Sequence, residues 1–177
     1  MIPINQLHCY ICGLIFLAMD NKLVIFDLDF TLWNCGGTYC DHTQPPYIQR
    51  EGKIFDMSHA EMKLYPDVIH ILEELYHSRI KIAIASRTHA ASWAEDLMDK
   101  FNMSHYFKVV EMFPSSKIPH FQRIQQKTGI AFENMYFFDD EQRNIDEVRT
   151  LGVNCFLVND GIKYDDVMAG ISAGQIA

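Results

Sequence analysis

Leu23-Val24-Ile25-Phe26-Asp27-Leu28-Asp29-Phe30-Thr31 decides how this chain folds. Four apolar residues make a run of the kind that lies inside a sheet, and two carboxylates and a hydroxyl follow, alternating with apolar residues. The two-residue period of extended chain sends Asp27, Asp29 and Thr31 to one side and Leu28 and Phe30 to the other. One side is wet and acidic; the other is anchored. Neighbouring carboxylates repel unless something positive lies between them, so this strand end implies Mg2+, a shared proton or a nearby Lys or Arg. The alternative is that Asp29 and Thr31 merely cap the turn. A DxDxT pentapeptide directly after a buried run favours the chemical reading.

Further apolar runs at 80–85, 135–138 and 153–158, with another near 106–110, read as strands. Between them lie helical patterns. Pro66 and Asp67 open a helix with Val68, Ile71, Leu72 and Leu75 on one face, and Ala91, Ala94, Leu97, Met98 and Phe101 mark a second over 90–101. Pro119 begins a third through Phe121 and Ile124 that stops at Gly129, and Ile145, Val148 and Leu151 mark a fourth that stops at Gly152. Strands apolar on both faces, separated by amphipathic helices, predict a doubly wound α/β domain with a mostly parallel sheet. Residues 34–64 lose periodicity and carry Gly36-Gly37, Pro45-Pro46 and Gly52, which predicts an irregular insertion, a small cap, rather than core.

Ligands of such sheets gather beyond the carboxyl ends of the strands. Four polar clusters follow strands or strand-like segments here: Asp27/Asp29/Thr31, Ser86/Arg87/Thr88, Lys117 and Asp139/Asp140. Each has a plain alternative: Ser86 or Thr88 could cap the next helix, and Lys117 could be a solvated charge. Two adjacent carboxylates after Phe137-Phe138 demand a cation. Together the clusters supply a nucleophile and an acid or base among Asp27 and Asp29, hydroxyl and cationic candidates for phosphate among Thr31, Ser86, Arg87 and Lys117, and metal carboxylates among Asp27, Asp29, Asp139 and Asp140, without fixing which residue does what.

A chain of 177 residues with 49% hydrophobic content suits one domain. That domain is expected over 19–177, with residues 1–18 an extension of uncertain role that contributes nothing to chemistry. The stretch 9–19 is apolar but only 11 residues long, short of the ~20 that a membrane helix needs. Lys22 is the first cation, which disfavours a secretory signal. A net charge of −8 with scattered Lys and Arg leaves no footprint for nucleic acid. Five cysteines, an odd count without a framework, fit reduced thiols in a cytoplasmic protein. A zinc site from Cys9, Cys12, Cys35, Cys40 and His42 is disfavoured by irregular spacing. Trp33 is expected to cover the core of the cap, while Tyr39 could meet a substrate ring.

Phe26-Asp27-Leu28-Asp29-Phe30-Thr31-Leu32-Trp33, Leu64-Tyr65-Pro66, Ala85-Ser86-Arg87-Thr88, Ser116-Lys117-Ile118, Gln125-Gln126-Lys127-Thr128-Gly129-Ile130 and Phe137-Phe138-Asp139-Asp140-Glu141 together resemble the magnesium-dependent phosphatase 1 family of the haloacid dehalogenase superfamily, over about residues 22–160. The resemblance implies a Mg2+-dependent phosphomonoesterase acting through an aspartyl phosphate. Asp27 would be the nucleophile and Asp29 the general acid and base. Ser86 and Lys117 would hold the phosphoryl group, and Arg87 would line the entrance. Asp139, supported by Asp140, would hold Mg2+ with Asp27 and the main-chain carbonyl of Asp29. Phosphotyrosine and sugar or fructosamine phosphates are the implied substrates, acted on by a monomer without nucleic acid or membrane. The chain departs from the family in residues 1–18 and in the cap, which matches only in patches such as Asp41-His42-Thr43.

The rival readings are a phosphotransferase, which the small cap disfavours, and a non-catalytic phosphoacceptor resembling a response-regulator receiver, or a binding-only relative. Receivers carry the acid pair after the first strand and the acceptor on a later one. Asp29 beside the presumed acceptor favours turnover over a long-lived phosphate.

Overall fold

The computed structural model describes residues 21–173. Its centre is β1 (Leu23–Phe26), every residue of which is buried. Then come β2 (Trp33–Cys35), β3 (Ile48–Arg50), β4 (Lys53–Phe55), β5 (Glu61–Leu64), β6 (Lys81–Ser86), β7 (Phe107–Met112), β8 (Met135–Asp139) and β9 (Asn154–Leu157). Five of these form a parallel sheet in the order β7-β6-β1-β8-β9. The chain fills one side of β1 first and then crosses to the other. That reversal opens a crevice beyond the carboxyl ends of β1 and β8.

The helices are α1 (Val68–His77), α2 (Ala91–Lys100), α3 (Lys117–Thr128), α4 (Gln142–Arg149) and α5 (Tyr164–Ala173). Alternation along β1 sorts them into two layers. Val24 and Phe26 face a cluster with Ile71 and Leu72 of α1, Leu97 of α2 and Val167 of α5. Leu23 and Ile25 face a second cluster with Phe121 and Ile124 of α3 and Ile145 and Val148 of α4. A sheet covered on both faces explains why its strands read as continuous apolar runs. Among the described residues no helix is long and apolar enough to cross a membrane. The extension 1–18 and the stretch 9–19 lie outside the described residues.

Several boundaries differ from expectation. Residues 34–64 are not irregular: β2 to β5 form an antiparallel sheet in the order β2-β5-β4-β3. Nor do they stand apart from the core, because Cys35, Cys40, Tyr47, Ile54 and Met62 join the larger cluster. Strands of three or four residues offer too few inward positions for a period of two to register. Helix α3 begins at Lys117, ahead of Pro119, since a missing N–H costs nothing anywhere in the first turn. It ends as expected, with Gly129 in the left-handed conformation. Helix α4 stops at Arg149, so Leu151 lies beyond it. The sequence reading has no counterpart for α5, whose buried face is only Val167, Gly170 and Ile171.

Alternation along the first strand also ends early. Beyond Phe26 the chain turns on itself, with the main-chain N–H groups of Thr31, Leu32 and Trp33 all directed at the Leu28 carbonyl and Phe30 at φ +56°. The loop after β9 secures this turn through Ile162 N–H donating to Thr31 O at 3.0 Å. It approaches closely because Gly161, at φ +79°, has no side chain: a Cβ there would lie 2.1 Å from the Tyr65 ring. Gly161→Ala is therefore expected to lower unfolding stability by about 2–4 kcal/mol, combining left-handed strain with overpacking. Urea unfolding measures it, and an unchanged midpoint contradicts this account of the loop.

Candidate active site

The carboxyl ends of β1, β6 and β8 bring the polar clusters into one cleft of about 330 Å³, whose lining includes Asp27, Asp29, Ser86, Arg87, Asp140 and Asn144. Strand registry is the cause. Phe26 pairs with Ile84 on one side and Phe138 on the other, so the residues that follow all three strands emerge together.

Lys117 lies buried beneath the cleft rather than in its lining, in contact with Asp27. Its side chain is fully buried, with Nζ 2.6 Å from Asp27 Oδ1 and 3.0 Å from Asp139 Oδ2, and it also donates to the Ala85 carbonyl. Burial, the largest influence, works against its charge, but the two carboxylates outweigh it and keep the ammonium protonated. Burial also raises the Asp27 carboxyl well above its ordinary value; Lys117 opposes the rise, and Asp139 and Asp29 add to it. Asp140 is pushed up to about 6 by burial and then by Asp139. Three carboxylates share one cation, so the cluster is short of positive charge. An all-oxygen donor set with that deficit suits a hard divalent ion such as Mg2+, which keeps several waters rather than requiring an all-protein cage. Among the described residues no three acidic, imidazole or thiol side chains enclose an ion by themselves. Such an ion would rest on Asp27 and Asp139 with main-chain or water oxygens, and Asp140 nearby.

Asp29 has different company. Its Oδ1 accepts Trp33 Nε1 at 2.8 Å and Cys40 N at 2.9 Å, with Cys35 Sγ at 3.9 Å. Burial, the strongest influence, raises its carboxyl to about 6 against the pull of those donors. Trp33 lies fully buried in the larger core cluster, which the inserted residues join, rather than over a separate core of the cap, and its indole N–H is a fixed partner of Asp29.

One expected site residue sits differently. Thr31 is fully buried with an unpartnered hydroxyl and does not line the cleft, because the tight turn after Leu28 breaks the alternation that aimed it there. Ser86 and Thr88 line the cleft without capping α2; Ser86 Oγ accepts Thr88 N at 3.3 Å and Thr88 Oγ1 accepts Ala90 N at 3.1 Å. Arg87 does reach the cleft wall and donates to Asn144 Oδ1 at 3.1 Å.

Three residues carry weight that sequence reading overlooked. Asn144 Nδ2 lies 3.0 Å from both oxygens of Asp139 and 2.9 Å from Glu141 Oε2, fixing the carboxylate at the end of β8. Glu147 accepts Lys117 N at 2.7 Å, capping α3 from the neighbouring helix where Ser116 does not. Cys40 couples the inserted sheet to Asp29 through its main chain, which no side-chain identity could announce. Asn144 had a weak signal, as a helical polar residue one turn beyond the acid pair. Of the residues of the disfavoured zinc site, Cys9 and Cys12 lie outside the described residues, Cys35 and Cys40 are buried beside Asp29, and His42 lines the cleft.

Comparison with known proteins agrees with this architecture. The acid phosphatase family model matches residues 20–175. The chain is 41% identical over 152 residues to human magnesium-dependent phosphatase 1, covering 85% of each. It is 34% identical over 142 residues to a HAD-like hydrolase superfamily protein of Schizosaccharomyces pombe, covering 75% of this chain and 82% of that one. The fold is shared with the N-terminal part of a Bacteroides fragilis protein containing a phosphatase domain, complexed with Mg, at a TM-score of 0.60 and 20% identity, covering 90% of this chain and 43% of that one. With matched motifs on one cleft and this extent of identity, the chain belongs to the magnesium-dependent phosphatase 1 family of the haloacid dehalogenase superfamily.

Proposed function

We propose that this protein is a Mg2+-dependent phosphomonoesterase that works through an aspartyl phosphate on Asp27. The observation that carries this reading is the unlike company of two carboxylates in one turn. Asp27 is held by the Lys117 ammonium at 2.6 Å, whereas Asp29 is held by neutral indole and amide N–H groups. Groups so divided suit nucleophile and proton carrier respectively.

Asp27 attacks phosphorus and the P–O bond to the leaving group breaks, while Asp29 delivers a proton to the departing oxygen. Asp29 then takes a proton from the water that hydrolyses the acyl phosphate and regenerates Asp27. Lys117 and the Ser86 hydroxyl hold the phosphoryl oxygens, and Arg87 lines the approach. Asp27 and Asp139, with Asp140 in support, would hold Mg2+, which would supply neutralisation of the charge on those oxygens. Thr31 does not contact the phosphate in this scheme; its place is inside the turn.

Substrate choice falls to the rim. Tyr39 is 42% exposed, edge-on to Phe30 and to His42 at ring separations of 5.2 and 5.8 Å, and offers an aromatic wall to phosphotyrosine. Asp41, His89 and Arg143 offer hydrogen bonds to the hydroxyls of a sugar phosphate. The inserted sheet leaves the cleft open to either class. Three described cysteines without disulfides, Cys35, Cys40 and Cys155, support a reduced, cytoplasmic setting, and we take the active unit to be a monomer.

Asp27→Asn is expected to abolish turnover and leave no covalent species. Asp29→Asn should accumulate phosphoenzyme from p-nitrophenyl phosphate, whose leaving group hardly needs a proton, and lose about 10²–10⁴ in cleavage of an alkyl ester. Rapid-quench trapping decides: labelling of Asp27→Asn, or equal slowing of both esters by Asp29→Asn with nothing trapped, overturns the assignment. Activity should vanish in excess EDTA and return with Mg2+ but not with Ca2+, which prefers more ligands at longer distances; full turnover in EDTA contradicts the metal dependence. On a panel of phosphotyrosine peptides and sugar phosphates, Tyr39→Ala should weaken kcat/KM for the aromatic esters more than for the sugars, and an equal effect removes Tyr39 from recognition.

A further inference from the structure

His120, in α3, is a fully buried imidazole for which the reaction above has no use. Its Nδ1 lies 2.9 Å from the Ser116 carbonyl oxygen, and its Nε2 lies 2.9 Å from that of Ser86 and 3.0 Å from that of Phe113. Every partner is a main-chain acceptor. Nε2 faces two of them, so with its one proton there a neutral ring donates to the Ser86 and Phe113 carbonyls, and Nδ1 then makes no hydrogen bond to the Ser116 carbonyl. The ring also stacks on Phe113, 3.8 Å between centroids and 4° from parallel.

These carbonyls come from two places in the fold, the end of β6 and the link from β7 to α3. Ser86 ends β6 and lines the cleft; Phe113 opens the link after β7 and Ser116 closes it, immediately before Lys117 and α3. The Ser86 carbonyl is held a second time by Phe113 N at 3.2 Å. A side chain needed only to fill space here would be apolar, and it would leave the Ser86 carbonyl with Phe113 N alone and take this donor from the Phe113 carbonyl.

We propose that His120 is a positioning residue: by tying the Ser86 carbonyl to the start of α3, it sets the spacing between the Ser86 hydroxyl and the Lys117 ammonium, and so how tightly a phosphoryl group is held. The inference rests on the reading of Ser86 and Lys117 as phosphoryl ligands. It adds a member of the site that touches neither substrate nor metal. Because the bonds end on main-chain atoms, the identities of Ser86 and Lys117 contain no hint of it.

The test compares the full-length parent with His120→Leu, His120→Gln and Phe113→Leu, each checked for folding by circular dichroism. The readouts are p-nitrophenyl phosphate hydrolysis with Mg2+ and inhibition by inorganic phosphate. His120→Leu should lower kcat/KM by roughly 10- to 100-fold, with a parallel weakening of phosphate inhibition, since small misplacements in a site are costly. His120→Gln, whose amide can reach toward the Ser86 and Phe113 carbonyls, should recover most of the loss. Phe113→Leu, which removes the stacking but not the hydrogen bonds, should reduce stability and leave phosphate inhibition within about two-fold. Parent-like phosphate inhibition in His120→Leu, or equal impairment in the Gln and Leu variants, overturns the proposal. If His120→Leu does not fold, His120→Asn replaces it: too short to reach β6, it should bind phosphate more weakly than His120→Gln, and equal binding overturns the proposal. A parent without Mg2+-dependent turnover would instead overturn the catalytic reading, and so is told apart.

Discussion

The buried ammonium of Lys117 is the constraint on which the rest of this structure depends. An isolated charge inside a protein costs several kcal/mol even after relaxation, and Lys117 is fully buried. It is tolerable only where Asp27, Asp139 and the Ala85 carbonyl converge on it. That convergence requires β1, β6 and β8 to end level with one another and α3 to begin directly beneath them. The parallel registry of the three strands and the capping of α3 by Glu147 meet that requirement. Fold and site are thus one problem: the sheet order that buries the apolar strands also gathers the charges that make Lys117 possible.

The inserted sheet enters the same arrangement from the other side. It contributes apolar residues to the main core and a main-chain N–H, that of Cys40, to Asp29. Trp33 supplies the second donor from the first strand of that sheet. The residue proposed to carry protons is therefore held by the insertion, while the proposed nucleophile is held by the parallel domain. Changes in the insertion reach the chemistry through Asp29 without touching Asp27. In this way a segment that shapes the rim can also adjust the proton-transfer step.

Support for the site lies largely in contacts between side chains and main chain, or between distant helices. Asn144 aligns Asp139, Glu147 starts α3, and His120 joins β6 to α3. None of these residues is part of a motif that phosphate chemistry demands by residue type. Their common feature is that each satisfies a buried polar group which folding itself has taken out of water.

Much was legible from the linear chain, for physical reasons. Runs such as Leu23–Phe26 must be buried on both faces, which implies a covered parallel sheet, and carboxylates directly after such runs must lie at its carboxyl edge. Hence Asp27, Asp29 and the Asp139/Asp140 pair could be placed at strand ends from residue type and position, whereas the roles expected of Ser86 and Lys117 came from the family resemblance. Thr31 was misplaced because the two-residue period holds only while the backbone is extended, and the turn at Leu28 ends it. The inserted sheet was invisible as a sheet because three-residue strands are too short to show a period, and α5 because its buried face has few apolar residues. The sequence by itself determined which chemical groups stand at which strand ends, since burial and alternation are local properties of the chain. Only the tertiary structure decided their partners, Lys117 between two carboxylates, Asp29 under Trp33 and Cys40, and His120 between β6 and the link before α3, because those contacts depend on strand order and registry, which no local pattern encodes.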